Sequence, residues 1–136
     1  MPLKKVLIAE DDEEDVDIFK EVLIDLNVDI NLEVATNGIE LMRMLDSAVV
    51  FPELIFLDLN MPLKNGMVCL QEIKADHRWK NIKVVILSTS SHHDQIKAVY
   101  DKGADFYMIK STNYNDFKND VEACLQKTSI QLKINT

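Results

Sequence analysis

Four short apolar segments of the sequence end in polar side chains whose types could serve a single reaction. In chain order these side chains are Glu10 and Asp11, Asp58, Ser88, and Lys110. Three carboxylates brought close together repel one another and stay ionised only beside a cation. Mg²⁺ suits this role because it takes one or two carboxylates and leaves other positions to water and phosphate oxygens. The residue types therefore predict a phosphoryl site with an aspartate nucleophile, in which a lysine and a hydroxyl bind phosphoryl oxygens.

The elements that would bring these side chains together follow from the apolar pattern. Apolar-rich segments predict five strands, at residues 6–9, 32–35, 54–57, 82–87 and 106–109. Apolar residues at helical spacing follow each segment, and the connections are short. This alternation is typical of an α/β fold with a five-stranded parallel sheet, doubly wound, and helices on both faces. The carboxyl ends of such strands share one edge, where ligands bind, so we expect the polar residues to converge there.

Asp58 ends the most apolar of these segments. The four residues 54–57 are all apolar, as expected for a central strand buried on both faces. The turn formers Asn60, Pro62 and Gly66 follow, so a loop should begin at the carboxylate. An aspartate at the end of one strand carries little weight alone, because aspartate commonly begins turns. The polar groups at the other strand ends are what support a functional role for Asp58.

The acidic run after the first strand divides into two parts. Glu10 and Asp11 lie against the strand end and are predicted to belong to the site. Asp12 is ambiguous, with a structural role as helix N-cap as one alternative. Residues 13–15 are expected to form a solvated helix start that the helix dipole favours.

Several local predictions concern the helices. Asn37 is expected to lie at the start of the second helix, whose inner face would be formed by Ile39, Met42 and Leu45. Ser91, with Asp94 three residues later, resembles a capping box for the fourth helix. Gly103 is placed where that helix should end. Trp79 is expected to pack on the surface.

Composition limits the class of protein. The chain has 136 residues, enough for one domain, and a net charge of −8 with a pI near 4.8. Excess negative charge argues against nucleic acid or an anionic membrane as a direct partner. The sequence has neither a recognisable signal peptide nor an apolar run of roughly 20 residues. Cys69 and Cys124 fall at apolar helix positions, so buried free thiols in a cytoplasmic protein are expected.

Residues 4–127 resemble the receiver domain of two-component response regulators, the CheY-like family. The resemblance rests on Glu10-Asp11 after the first strand, Asp58 within Asp-Leu-Asn-Met-Pro, Gly66 eight residues later, Ser88 and Lys110. It implies a flavodoxin-like sheet with the strand order 2-1-3-4-5. It also implies that Asp58 is the phosphoacceptor. Mg²⁺ would be held by Asp11, Asp58 and the backbone carbonyl of Asn60, while Glu10 would act largely through water.

The same resemblance implies roles around the phosphoryl group. Ser88 would donate a hydrogen bond to one phosphoryl oxygen, and Lys110 would pair with another. Tyr107 matches the aromatic switch position, which would remodel the surface of the fourth helix, fifth strand and fifth helix. A half-buried strand aromatic is the alternative for this residue. Asn60 and Ser90 match the positions that flank the phosphoryl group and tune its hydrolysis.

The resemblance further implies a signalling protein rather than an enzyme. A sensor histidine kinase or a histidine phosphotransfer protein would be the phosphoryl donor in a phosphorelay. We expect residues 1–127 to form the receiver and residues 128–136 a tail, either an edge strand or frayed. With no effector sequence after Thr136, output would pass through contact with a protein target or onward phosphotransfer. The protein would be a monomer or a weak phosphorylation-dependent dimer.

Two departures and two alternatives accompany the resemblance. Ser111 stands where the family usually has proline, so the loop after Lys110 can take another path. Ser88 replaces the commoner threonine and keeps the hydroxyl. The first alternative is a pseudo-receiver that binds its partners without phosphorylation. The second is a haloacid-dehalogenase-like phosphatase, although the Asp-x-Asp arrangement after the first strand is missing.

Overall fold

The fold is a parallel sheet with helices on both faces, as expected from the sequence. A computed structural model describes residues 4–128. Its elements are β1 (Lys4–Ala9), α1 (Glu13–Asp25), β2 (Ile30–Ala35), α2 (Gly38–Ser47), β3 (Leu54–Asp58), α3 (Gly66–Ala75), β4 (Lys83–Ser88), α4 (His93–Asp101), β5 (Phe106–Ile109) and α5 (Tyr114–Lys127). The five strands pair in parallel in the order β2-β1-β3-β4-β5. The predicted fold class and strand order are confirmed.

The central strand β3 divides the core between the two faces of the sheet. All five of its residues are buried. Leu54 and Phe56 pack on one face, whereas Ile55 and Leu57 pack on the other, because successive side chains of a strand alternate. This alternation explains the continuous apolar run in the sequence.

Each face of the sheet is covered by its own helices. On one face, α1 and α5 contribute Phe19, Val121 and Leu125, and the ring of Phe19 meets that of Phe56 edge-on with centroids 4.8 Å apart. On the other face the helices are α2, α3 and α4. Among the described helices, none has the length and apolar character needed to cross a bilayer.

Four of the five described helices begin with a side-chain cap. Asp12, Asn37, Asn65 and Asn113 each accept a backbone N–H with their side chain, as an N-cap should. The structural role of Asp12 is thereby confirmed. The predicted capping box at Ser91 is wrong, because α4 begins later.

The start of α4 has no side-chain cap. Its N-cap position is His92, whose side chain makes no capping hydrogen bond, and the backbone N–H of His92 is bound by Ser90 Oγ at 3.1 Å. Of the residues of α4, all of which are described, only Val99 is buried. This helix is therefore held to the sheet over a small apolar area.

Two predictions about burial are also wrong. Ile39 is 49% exposed, whereas Leu45 is buried as predicted, and Leu41 lies with it on the inner face of α2. Trp79 is 5% exposed and belongs to the core. Hydrogen bonds from Trp79 N to Asp76 O and from Ile82 N to Trp79 O fold the connector tightly enough to turn the ring inward.

The predicted tail lies almost entirely outside the described residues. Thr128 forms the C-cap of α5, and its hydroxyl donates to the carbonyl of Cys124 at 3.1 Å. The prediction of an edge strand or a frayed segment at 129–136 therefore stays a prediction.

Gly66 permits a close backbone approach beside Asp58. A Cβ at this position would lie 2.3 Å from the carbonyl oxygen of Asp58 and 2.7 Å from Cα of Leu59. We expect Gly66→Ala to lower the free energy of unfolding by roughly 2–4 kcal/mol, because backbone must move. Helix propensity alone would stabilise the variant by about 1 kcal/mol, so the sign is diagnostic. Urea denaturation would measure the change. The exposed Asn119→Ala in α5 is the control, and a stabilised Gly66→Ala would contradict the prediction.

The two cysteines are free and buried, as predicted. Burial raises the pKa of both Cys69 and Cys124 to about 11, so neither carries much thiolate at neutral pH. We expect both thiols to react with Ellman's reagent at least a hundredfold more slowly in the native protein than in denaturant, on the order of the loss of thiolate. Absorbance at 412 nm would follow the reaction. A rapid reaction of either thiol in the folded protein would show that its helix opens readily.

Candidate functional site

The end of β3 fixes Asp58 at the edge of the sheet. Leu59 N donates to Leu87 O at 3.2 Å and continues the ladder to β4, while Gly66 N donates to Leu59 O at 2.9 Å and closes the loop. The backbone N–H of Asn60 donates to Asp58 Oδ1 at 3.1 Å. Asp58 is 4% exposed. Backbone bonds on both sides therefore hold this carboxylate in place.

The end of β1 brings two further carboxylates to the same edge. Glu10 N donates to Ala35 O, which continues the pairing of β1 with β2. Ala9 pairs with Leu57 of β3, so Glu10 follows at the level of Asp58. Glu10 is buried and Asp11 is exposed.

The predicted convergence of the carboxylates is observed. One oxygen from each of Glu10, Asp11 and Asp58 lies within 4.8 Å of the others. The spacing matches that of oxygen atoms that share one cation, and hard divalent cations prefer carboxylate oxygens. The residues present therefore fit a divalent metal ion.

Lys110 joins the strand ends from the other side. Its backbone N–H donates to Ser88 O at 2.7 Å and extends the pairing of β4 with β5. Its ammonium group contacts Glu10 Oε1 at 2.5 Å and lies 3.2 Å from oxygens of both Asp15 and Asp58. An ammonium has three N–H donors, and here each has a carboxylate partner.

Asp15 lies in the first turn of α1, as expected, but it also contacts the Lys110 ammonium, which the sequence did not predict. The cap formed by Asp12 sets the first turn of α1 so that Asp15 reaches the Lys110 ammonium. Its side chain is 41% exposed, so the contact is partly open to water. The position of Asp15, three residues after the N-cap, indicated that its side chain lies near the strand ends. The rotation of α1 about its axis decides whether that side chain points toward Lys110.

The electrostatics of the cluster are dominated by burial. Burial, together with the hydrogen bond and charge of Asp58, raises the pKa of Glu10 to about 8, although Lys110 acts in the opposite direction. Burial lowers the pKa of Lys110, but the hydrogen bond to Glu10 and the charge of Asp58 outweigh it, and the pKa rises above its usual value. Lys110 thus stays charged. Its single positive charge neutralises the neighbouring carboxylates only in part.

Ser88 and Tyr107 belong to a second group of polar contacts beside the carboxylates. Ser88 ends β4 one residue beyond the pair formed by Asp58 and Leu87, and it is 1% exposed. The hydroxyl of Tyr107 donates to Ser90 O at 2.6 Å. Gln95 of α4, which sequence reasoning missed, donates to both hydroxyls.

The loop after Lys110 keeps ordinary backbone geometry despite lacking the expected proline. No cis peptide bond occurs between residues 4 and 128. Ser111 Oγ accepts from Asn113 N at 3.0 Å, and the side chain of Asn113 in turn accepts from Asp116 N. Serine therefore supports the start of α5 through a hydrogen bond.

Comparison with known proteins agrees with this geometry. The family model of the response regulator receiver domain matches residues 6–122. Response regulator Rcp1 of Synechocystis sp. is 36% identical over 120 residues, which cover 85% of this chain and 82% of Rcp1. The transcriptional regulatory protein CpxR of Klebsiella pneumoniae is 30% identical over 93% of this chain, but the match spans only 51% of that longer protein.

Two solved structures are similar over nearly the whole chain. The Mn²⁺-bound form of Rcp1 superposes with a TM-score of 0.83 and 32% identity, covering 96% of this chain and 99% of that one. The phosphorylated cyanobacterial phytochrome response regulator RcpA gives a TM-score of 0.85 and 32% identity, with coverage of 97% and 99%. The chain belongs to the response regulator receiver domain family of two-component systems. The phosphatase alternative is left without support.

The carboxylate cluster generates a prediction about metal binding. We expect Mg²⁺ at ten times its dissociation constant to stabilise the protein by about 1.4 kcal/mol, because the ion binds only the folded cluster. Asp11→Asn should weaken this stabilisation markedly, whereas Asp101→Asn, an exposed charge on α4 that pairs with Lys97, should keep it. Thermal unfolding with and without Mg²⁺ would measure the effect. Equal stabilisation of both variants would contradict a site at Asp11.

Proposed function

We propose that this receiver accepts a phosphoryl group on Asp58 from a phosphohistidine donor and signals through its changed surface. The observation that carries the proposal is the convergence of Glu10, Asp11 and Asp58 on one side with the Lys110 ammonium within 3.2 Å of Asp58. Aspartate carboxylates are established covalent phosphoryl acceptors. A half-buried lysine beside such a carboxylate suits a dianionic product.

The chemical step is an in-line displacement at phosphorus. An oxygen of Asp58 forms the new O–P bond as the N–P bond of the phosphohistidine breaks, and the imidazole leaves with the electron pair and takes a proton from water. Charge then spreads over the three remaining phosphoryl oxygens. Lys110 is placed to neutralise one of them, and the hydroxyl of Ser88 to donate to another.

Mg²⁺ is proposed as the cofactor. Glu10, Asp11, Asp58 and the backbone carbonyl of Asn60 would hold it, with Glu10 acting largely through water. When bound, the ion would supply positive charge for the phosphoryl oxygens and for the carboxylate of Glu10, whose pKa is raised by burial and by the neighbouring Asp58. The Mn²⁺-bound form of the similar protein Rcp1 supports the binding of a divalent ion by this chain.

The residues beside the phosphoryl site would control its lifetime and its readout. We place Asn60 and Ser90 next to the phosphoryl group, where their side chains would limit the access of water. Tyr107 is proposed as the switch. Its hydrogen bond to the carbonyl oxygen of Ser90, two residues after Ser88, supports this role.

Output is proposed to run through the surface of α4, β5 and α5. Tyr100 and Ile109 expose apolar area there, 44% and 41% of each residue. A protein target or a phosphotransfer protein would bind this face, and no direct contact with nucleic acid or membrane is proposed. Residues 1–127 would form the receiver, acting in the cytoplasm as a monomer or weak phosphorylation-dependent dimer rather than as an enzyme.

Asp58 provides the direct test. We expect Asp58→Asn to abolish the uptake of acid-labile phosphate from acetyl phosphate and Mg²⁺, because the amide oxygen cannot act as the nucleophile. Phosphate-affinity electrophoresis of the labelled protein, before and after mild acid, would measure the loss. Asp101→Asn is the matched control and should label as the wild type does.

Two results would contradict the proposed acceptor. Labelling that persists in Asp58→Asn would place the acceptor on another residue. A wild-type protein that takes up no phosphate from acetyl phosphate or from any purified histidine kinase would favour the pseudo-receiver alternative.

A further inference from the structure

Gln95 lies between the two hydroxyls that the proposed function uses. From the first turn of α4, its side-chain Nε2 donates to Ser88 Oγ at 3.0 Å and to Tyr107 Oη at 2.9 Å. Both N–H groups of the amide are thereby used. No other described side chain is hydrogen-bonded to both of these residues.

The hydrogen-bond network fixes the orientation of this amide. The hydroxyl proton of Tyr107 is directed at the carbonyl oxygen of Ser90, 2.6 Å away. Tyr107 Oη can therefore only accept from Gln95, so the nitrogen and not the oxygen of the amide must face it. The same nitrogen then faces Ser88.

This orientation has a consequence for Ser88. Its oxygen accepts from Gln95 Nε2 at 3.0 Å and from the backbone N–H of Ser90 at 3.1 Å. A serine hydroxyl has two acceptor positions and one donor. With both acceptor positions used, Ser88 acts only as a donor toward a further partner, and phosphoryl oxygens are acceptors.

We propose that Gln95 is a positioning residue that couples the phosphoryl group on Asp58 to the aromatic switch. It directs the Ser88 proton toward the phosphoryl oxygen and transmits the resulting shift of Ser88 to Tyr107 through the shared amide. This inference rests on the proposed function and adds the residue that joins its two halves.

A role in packing alone explains the contacts of Gln95 less well. Val99 provides the buried apolar contact of α4, and the start of that helix has no side-chain cap, so Gln95 does not cap it. An amide that served packing alone would have no need to direct both N–H groups at two separate hydroxyls. Its two bonds join residues from β4 and β5.

Two substitutions separate donor function from size. Gln95→Met keeps the length of the side chain but removes both N–H donors. Gln95→Glu keeps the shape but presents only acceptors when ionised, so it would draw the Ser88 proton away from the phosphoryl group. Gln71→Met, on an exposed position of α3, is the matched control. If Gln95→Met fails to fold, Gln95→Glu carries the test.

The measurements use beryllofluoride with Mg²⁺ as a phosphoryl mimic. Backbone NMR signals of Asp58 and Ser88 report binding, and the labelled ring of Tyr107 reports the switch. We expect Gln95→Met to bind beryllofluoride roughly five- to tenfold more weakly and Gln95→Glu more weakly still, in line with the loss of one oriented hydrogen bond. In both variants the ring signals of Tyr107 should no longer respond to saturating beryllofluoride.

The outcomes are distinguishable. Variants that match Gln71→Met in affinity and in the Tyr107 response would overturn the role of Gln95 and leave the proposed function intact. Weaker binding with an unchanged Tyr107 response would overturn the coupling, because only the structure around Ser88 would then be affected. A wild-type protein that fails to bind beryllofluoride would overturn the proposed function, and this inference with it.

Discussion

The ammonium group of Lys110 offsets the repulsion among carboxylates that meet at one edge of the sheet. It contacts Glu10 and Asp15, which flank the start of α1, and Asp58, which lies more than forty residues later at the end of β3. Burial and the neighbouring Asp58 raise the pKa of Glu10 despite the contact with Lys110, so the ammonium does not fully offset the cost of holding these acids at the sheet edge. The cluster is therefore built with an unmet need for positive charge. In the proposed function, a divalent cation held by these carboxylates would supply that charge, so the proposed metal site and the proposed acceptor share one physical origin.

Much of the fold could be predicted because strand and helix periodicities differ so clearly in this chain. The order of elements, the parallel sheet and the burial of β3 all follow from continuous apolar runs separated by amphipathic segments. The errors arose where local chemistry was ambiguous. Ser91 had the composition of a cap, but the chain begins α4 later, and Trp79 is turned into the core by a connector whose hydrogen bonds no sequence pattern shows.

The residues of the site that lie at strand ends could be predicted from the sequence. Those that lie on helices could not. A residue at the end of a parallel strand has a known edge and level, so the convergence of Glu10, Asp58 and Lys110 could be inferred without coordinates. Asp15 and Gln95 lie in the first turns of α1 and α4. The direction of such side chains depends on how the helix is rotated, and an error of one or two residues at its start changes that direction by a large angle.

The weak attachment of α4 bears on how far a small signal can travel. Its contribution of one buried residue compares with three or four from each of the other described helices, and its first turn has no side-chain cap. Local opening in a protein costs least where few apolar contacts must be broken. The rearrangement of a single hydroxyl group supplies only a modest free energy. That free energy is too small to displace a helix that buries many apolar side chains. In the proposed function, α4 would therefore be the helix that a change at the sheet edge displaces at the lowest cost in free energy.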